Sequence, residues 1–175
     1  RNTLKKCVDS IINKSTYENY EIIIVENNST DSETFQYYDE IEKQTDKVRV
    51  VYYEGEFNYS KVNNFGVRYA SGEYYLLLNN DTEVITENWL EKMVGYCQLQ
   101  NTGIVGAKLL YPDDTVQHCG VVIGIGGFAG HILTLSDRNE VGYFGRLQAV
   151  QNVSAVTGAC LMIKKSVFDK VGGLD

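Results

Sequence analysis

Proline occurs once in these 175 residues, at Pro112, and histidine only twice, at His118 and His131. The two histidines fit neither a Ser-His-Asp order nor a metal-type spacing, so no hydrolase signature of either kind is present. Four cysteines, Cys7, Cys97, Cys119 and Cys160, form no CxxC pair and no zinc spacing. They read as reduced, mostly buried thiols of a cytosolic domain. No apolar run approaches the ~18 residues that span a bilayer, and no signal peptide opens the chain. Basic charge is also short: 16 Lys and Arg against 23 Asp and Glu give a net charge of −7. That balance argues against nucleic acid, whose phosphates demand a basic face. It leaves room for a small phosphate-bearing ligand, since a divalent cation bridges carboxylates to phosphates. Internal repeats and low-complexity linkers are absent. Sequons at Asn13, Asn28, Asn58, Asn80 and Asn152 carry no meaning without a secretory context.

What is present suits one folded domain over residues 1–175: 43% hydrophobic and 22% charged residues,. Leu4, Val8, Ile11 and Ile12 recur at helical spacing and predict a helix over 3–13,. A buried strand over 20–25 follows, and then a helix whose stripe is Phe35, Tyr38 and Ile41, opened by a Thr30–Glu33 capping box,. Further strands are expected at 48–53, 74–78, 104–110 and 159–163. Helices are expected after Asn58, after Thr86 and from a Ser166–Asp169 capping box, the last left unfinished at Gly172-Gly173,. Between 116 and 151 the periodicity fades and six glycines fall between Gly120 and Gly142, the pattern of a long ordered loop,. Gly124-Ile125-Gly126-Gly127-Phe128-Ala129 matches a relaxed dinucleotide fingerprint. Gly130-His131 interrupts the helix that motif needs, and no acid follows at the required distance, so the match is rejected,.

Strand–helix alternation predicts an α/β fold: a mixed, mostly parallel sheet with helices on both faces and a glycine-rich loop region. Ligands of such sheets bind beyond the carboxyl ends of the strands. Two polar clusters fall at those ends, Glu26-Asn27-Asn28-Ser29-Thr30-Asp31 and Asn79-Asn80-Asp81. They are expected to share one rim. Asp81 suits a hard cation held against a diphosphate, although Asn-Asn-Asp equally suits a turn. Helix capping explains Thr30, Asp31 and Glu33, but not Glu26, Asn27 and Asn28, which fit a base and ribose. Lys61 reads as a phosphate or base contact or as a solvated lysine. Asn64 reads as a bond to a neighbouring loop or as a ligand contact. His118 and His131 suit a phosphate or sugar, or loop structure alone.

Five stretches resemble the inverting family 2 glycosyltransferases of GT-A fold. They are 20–29, 58–66, 70–83, 111–120 and 157–175, which carry Tyr20-Glu21-Ile22-Ile23-Ile24-Val25-Glu26-Asn27-Asn28-Ser29, Leu76-Leu77-Leu78-Asn79-Asn80-Asp81 and Gly172-Gly173-Leu174-Asp175. The nearest branch resembles rhamnosyltransferases of bacterial surface-polysaccharide synthesis. The resemblance implies that Glu26, Asn27, Asn28, Asn58, Lys61, Asn64, Asn79 and Asn80 contact a nucleotide-diphosphate sugar. It implies that Asp81 holds Mg²⁺ or Mn²⁺, and that His118, Thr157, Gly158 and Ala159 face a saccharide or lipid-linked acceptor. It also implies a cytoplasmic parent protein, associated peripherally with the inner face of the membrane. Glu26 stands where the family usually has Asp, and only Asp81 keeps a carboxylate in the metal motif. The family's first strand would precede Arg1 and its catalytic base would follow Asp175, so the isolated chain is expected to be inactive. A catalytically inactive nucleotide-binding or interaction module is the alternative. A nucleotidyltransferase is a third reading, but its basic glycine-rich signature is missing.

Overall fold

α1 (Asn2–Lys14) buries Cys7, Val8, Ser10 and Ile11 on one face. The computed structural model describes residues 2–175; Arg1 lies outside the described residues. β1 (Ile22–Glu26) and β2 (Val48–Tyr52) pair in parallel, with Glu26 opposite Tyr52 at their carboxyl ends. α2 (Ser32–Gln44) is the crossover, and its Tyr37, Tyr38 and Ile41 pack on Ile24, Val48, Val50 and Val8. Phe35, expected on that stripe, is 37% exposed and sets its ring edge-on against Tyr38. Asp31 caps α2 by accepting from the Glu33 N–H at 3.0 Å, so the expected Thr30–Glu33 box does not form. Ser29 is tied back to Glu26, and the chain enters the helix one residue later than expected.

The second sheet has the order β3 (Tyr74–Leu78), β9 (Cys160–Lys164), β4 (Ile104–Gly106), with β9 antiparallel to both neighbours. Among the described ladders only β1–β2 is parallel, so the sheets are mixed, with less parallel pairing than the alternation suggested. The physical reason is the missing crossover helix: β9 follows a long irregular excursion and enters the sheet from the opposite end. Side chains alternate across it. Cys160 and Met162 meet Leu90, Met93, Val94 and Cys97 of α4 (Trp89–Cys97) on one face. Ile163 and Tyr75 meet Phe168 of α5 (Lys165–Val171) on the other, where α3 (Tyr59–Val67) also packs through Val67. Helices therefore cover both faces, as expected.

The expected strand 104–110 is split. After β4 the chain leaves the sheet, and β5 (Leu109–Leu110) pairs with β6 (Val116–His118) in a separate ladder. Gly106 lies so close under Val156 that a Cβ would stand 2.6 Å from the valine Cβ. The glycine-rich stretch holds a small hairpin, β7 (Val121–Ile123) with β8 (Ala129–His131). Only a 3₁₀ turn at Ile125–Gly127 lies between these strands, so no helix follows the rejected fingerprint. α4 begins after Asn88 with no side-chain cap; Thr86 contributes only its carbonyl. α5 likewise starts directly after Lys164, without the Ser166–Asp169 box, and Gly172 at φ +82° closes it. That helix is finished rather than open. Among the described residues no helix is long and apolar enough to cross a membrane.

Candidate functional site

The loop after β1 is built on a buried carboxylate. Glu26 is 4% exposed. It accepts from the Ser29 N–H at 2.5 Å, the Ser29 hydroxyl at 2.7 Å and the Tyr38 hydroxyl at 2.6 Å. Burial pushes its pKa up, but the Tyr38 and Ser29 bonds outweigh burial and hold it below the ordinary value,. Both carboxylate oxygens are thus used within the protein, and Glu26 shapes the loop from beneath. Asn28 sits at φ +59°, a conformation asparagine tolerates better than most residues,. The side chains of Asn27 and Asn28 both donate to the Gly55 carbonyl, at 2.9 and 2.7 Å, and Asn27 also reaches Tyr53. The loops after β1 and β2 are therefore stitched together.

The turn after β3 is held from two sides. From β9, the Ala159 carbonyl accepts from the Asn79 N–H at 2.9 Å. From below, the Ser10 hydroxyl of α1 accepts from the Val84 N–H, Lys14 pairs with Glu83 at 3.0 Å, and Cys7 lies 3.5 Å from the Thr82 hydroxyl. Thr82 closes the turn onto the Asn79 carbonyl. Asn79, Asn80 and Asp81 are exposed, and the Asp81 carboxylate has no hydrogen bond or ion pair among the described residues. Sequence reasoning missed this use of α1. Its apolar spacing marked a core helix, and only the polar Ser10 and Lys14 within that helix hinted at a second task.

α3 joins the two loops. Asn58 caps it, accepting from the Lys61 N–H at 2.9 Å, and Lys61 is exposed with no side-chain partner among the described residues. The Tyr59 hydroxyl donates to the Gly158 carbonyl at 2.7 Å. A series of bonds thus runs from Asn28 to Gly55, through the 55–59 segment to Gly158, and from Ala159 to Asn79. Asn64 is turned elsewhere: its amide exchanges two bonds with the Leu174 backbone, at 2.7 and 2.9 Å, the neighbouring-loop alternative for this residue. Gly158 leaves no room for a side chain, because a Cβ would lie 2.5 Å from the Tyr59 hydroxyl. Gly158→Ala is expected to displace Tyr59 and to lower unfolding free energy in urea by roughly 1–3 kcal/mol. Tyr59→Phe, which removes only the bond, is expected to cost about 1 kcal/mol.

His118 is 1% exposed and accepts at Nε2 from the Thr157 N–H, a long bond of 3.4 Å. Its Nδ1 faces the Nδ1 of His131 at 3.0 Å. Burial first, and then the facing His131, push His118 down to about 4 from 6.5. The histidine is neutral in the fold and charged in the unfolded chain between those values. Its contribution is therefore complete above pH 6.5 and is lost as pH falls through about 4,. A depression of this size corresponds to roughly 3 kcal/mol. Urea unfolding across that window is expected to show a steeper acid loss for the native chain than for His118→Gln.

The structure thus brings Asn27, Asn28, Asn58, Lys61, Asn79, Asn80, Asp81, Thr157, Gly158 and Ala159 into one connected rim. His118 lies behind it, Glu26 lies under it, and Asn64 faces Leu174. Among the described residues no group of three His, Cys, Asp or Glu side chains is placed to hold a metal by itself. The donor set is one free carboxylate with neighbouring amides. It would suit a hard cation only if most of that cation's ligands came from outside the chain.

The family model for glycosyl transferase family 2 matches residues 1–172. The chain belongs to this family. An uncharacterised protein of Sinorhizobium fredii is 47% identical over 174 residues, 99% of this chain and 19% of that protein. The O-antigen biosynthesis protein RfbC of Myxococcus xanthus is 40% identical over 174 residues, 98% of this chain and 13% of that protein. The chain therefore spans less than a fifth of either relative. The mannosyltransferase PcManGT of Pyrobaculum calidifontis, solved with GDP-Man and Mn²⁺, superposes with a TM-score of 0.69. That match covers 99% of this chain and 44% of the neighbour at 16% identity, and it shows the fold, an α/β fold of GT-A type. All four cysteines of this family 2 domain are free.

Proposed function

We propose that this chain forms, as a single domain, the nucleotide-sugar-binding part of an inverting glycosyltransferase of the rhamnosyltransferase-like branch. Its acceptors are saccharides or lipid-linked saccharides of bacterial surface polysaccharide, met at the inner face of the membrane. One observation carries the reading: the bonds through Gly55, Gly158 and Ala159 link the loops after β1, β2 and β3 and the start of α3. In a GT-A fold these loops lie where ligands bind. Exposed polar groups of the 27–31 loop meet the base and ribose. Asn58 starts α3 so that its first turn and Lys61 face the diphosphate,. Asp81, with Asn79 and Asn80 beside it, would hold Mg²⁺ or Mn²⁺, which neutralises charge on the departing diphosphate. Thr157, Gly158 and Ala159 border the acceptor, whose hydroxyl displaces the nucleotide in line and inverts the anomeric carbon. The base for that hydroxyl is not assigned to a residue of this chain, and the isolated chain is expected not to turn over.

Calorimetry with GDP, UDP and dTDP, with and without Mn²⁺, tests this. Metal-dependent binding of one of them is expected, and metal-independent binding contradicts the role of Asp81. One feature favours a second reading, an inactive binding module: Glu26 and Asn64 spend their polar atoms on internal bonds. No binding of any nucleotide would favour that module.

A further inference from the structure

Two adjoining cavities lie off the rim, within the excursion between β6 and β9. One, of about 350 Å³, is lined by Ile125, His131, Ile132, Leu133, Tyr143 and Arg146. The other, of about 330 Å³, shares Ile132 and Arg146 and adds the polar Gln151, Asn152 and Ser154. Arg146 stands between them. Its backbone is anchored: its N–H donates to Tyr143, and its carbonyl accepts from the Gln151 amide at 3.0 Å. Its guanidinium has no carboxylate or hydrogen-bond partner among the described residues. The neighbouring cations are engaged, Arg138 with Asp114 at 2.6 Å and Lys108 with the Arg138 and Leu147 carbonyls. An unpaired arginine on a pinned backbone, between two cavities of a chain with net charge −7, is a place for an anion,.

The first cavity also offers a neutral donor and a flat wall. His118 accepts from Thr157 at Nε2, so its proton is on Nδ1 and points at His131,. His131 then accepts at Nδ1 and carries its own proton on Nε2, available to a ligand. Tyr143, 73% exposed, presents a ring and a hydroxyl, and its ring meets that of Phe144 edge-on at 4.5 Å. A cation, an N–H donor, a phenol and an aromatic face together suit a sugar ring that bears a negative charge.

We propose that this double cavity binds an anionic saccharide, a phosphorylated or carboxylated sugar of the acceptor, with Arg146 on the charge and Tyr143 on the ring. The proposal rests on the transferase reading for the word acceptor. The cavity is coupled to the rim by two links, His118 to Thr157 and the Val121–Ala155 bridge, both on the segment that leads into Gly158. It is separate from Asp81.

The test is titration of the chain with glucose 1-phosphate, glucuronate, glucose and inorganic phosphate, followed by NMR. Shifts of the Ile132, Tyr143 and Arg146 amides are expected with an anionic sugar and not with glucose. The stronger of glucose 1-phosphate and glucuronate identifies the charge. Arg146→Ala is expected to weaken that binding at least about tenfold, with Arg146→Lys between the two. Asp81→Ala is expected to leave it unchanged, and Arg146→Ala to leave Mn²⁺-dependent nucleotide binding unchanged. No binding by the native chain overturns the proposal. So does loss of binding in Asp81→Ala but not in Arg146→Ala, which places the sugar phosphate on the rim. If Arg146→Ala melts below the native chain, the amide shifts of the native chain decide. Failure of nucleotide binding alone would sink the donor reading and leave this cavity standing.

Discussion

Asp81→Ala is expected to lower sugar transfer by about 100-fold, roughly 3 kcal/mol of barrier, and to remove its dependence on Mn²⁺. The measurement is initial rate against Mn²⁺ concentration in an active protein that carries this domain. The size of the effect follows from the donor set: Asp81 is the carboxylate of the Asn79–Asp81 turn, and its oxygens are not shared with any described residue. Because the side chain is exposed and unpartnered, the melting temperature is expected to move little. Asp81→Asn keeps the shape and loses the charge, and is expected to behave like the alanine variant. Unchanged rate and metal dependence would remove Asp81 from the mechanism.

The largest stability effect is expected one loop away. Glu26→Ala leaves the Tyr38 hydroxyl, the Ser29 N–H and the Ser29 hydroxyl without their acceptor in a buried corner. A loss of about 3 kcal/mol is expected in urea unfolding, since the bonds are charge-assisted and their donors cannot all find water. Glu26→Gln keeps one acceptor oxygen and sets its amide NH2 against a donor, and is expected to lose less. Tyr38→Phe removes one bond and is expected to cost about 1 kcal/mol. The loop is predicted to loosen in the same order, read as faster amide exchange at Ser29 and Thr30. The carboxyl is held below its ordinary pKa, so this stabilisation is present above the unfolded value and is lost as pH falls through the folded one,.

Most of the fold was readable because its elements obey simple periods. The strand over Tyr74–Leu78 is a continuous apolar run, and it lies where the run places it. Helices α1 and α4 carry apolar residues at three- and four-residue spacing, and those residues form the core. The reading weakened where local preference competed with tertiary contact. Thr30 and Ser166 each head an acceptable capping box, yet neither caps. Pairing direction was legible only by rule, because the 107–159 excursion has no periodicity to show that β9 returns from the other end. Within the site, Asp81 was legible as an acid at a strand end. The internal duty of Glu26 was not, because its partner Tyr38 lies 12 residues away on α2, whereas for Asn64 the loop bond was one of two open readings and Leu174, 110 residues away, decides it. The Arg146 cavity lacked any local signal, since it is assembled from a hairpin and a distant turn.

Manganese-induced broadening of backbone amides tests the shared rim most directly. With the nucleotide that binds best, Mn²⁺ should broaden residues 79–82 and also 27–30, 58–61 and 157–159, while α2 stays sharp. Broadening limited to one of those segments, or absent from all of them, would contradict a common pocket.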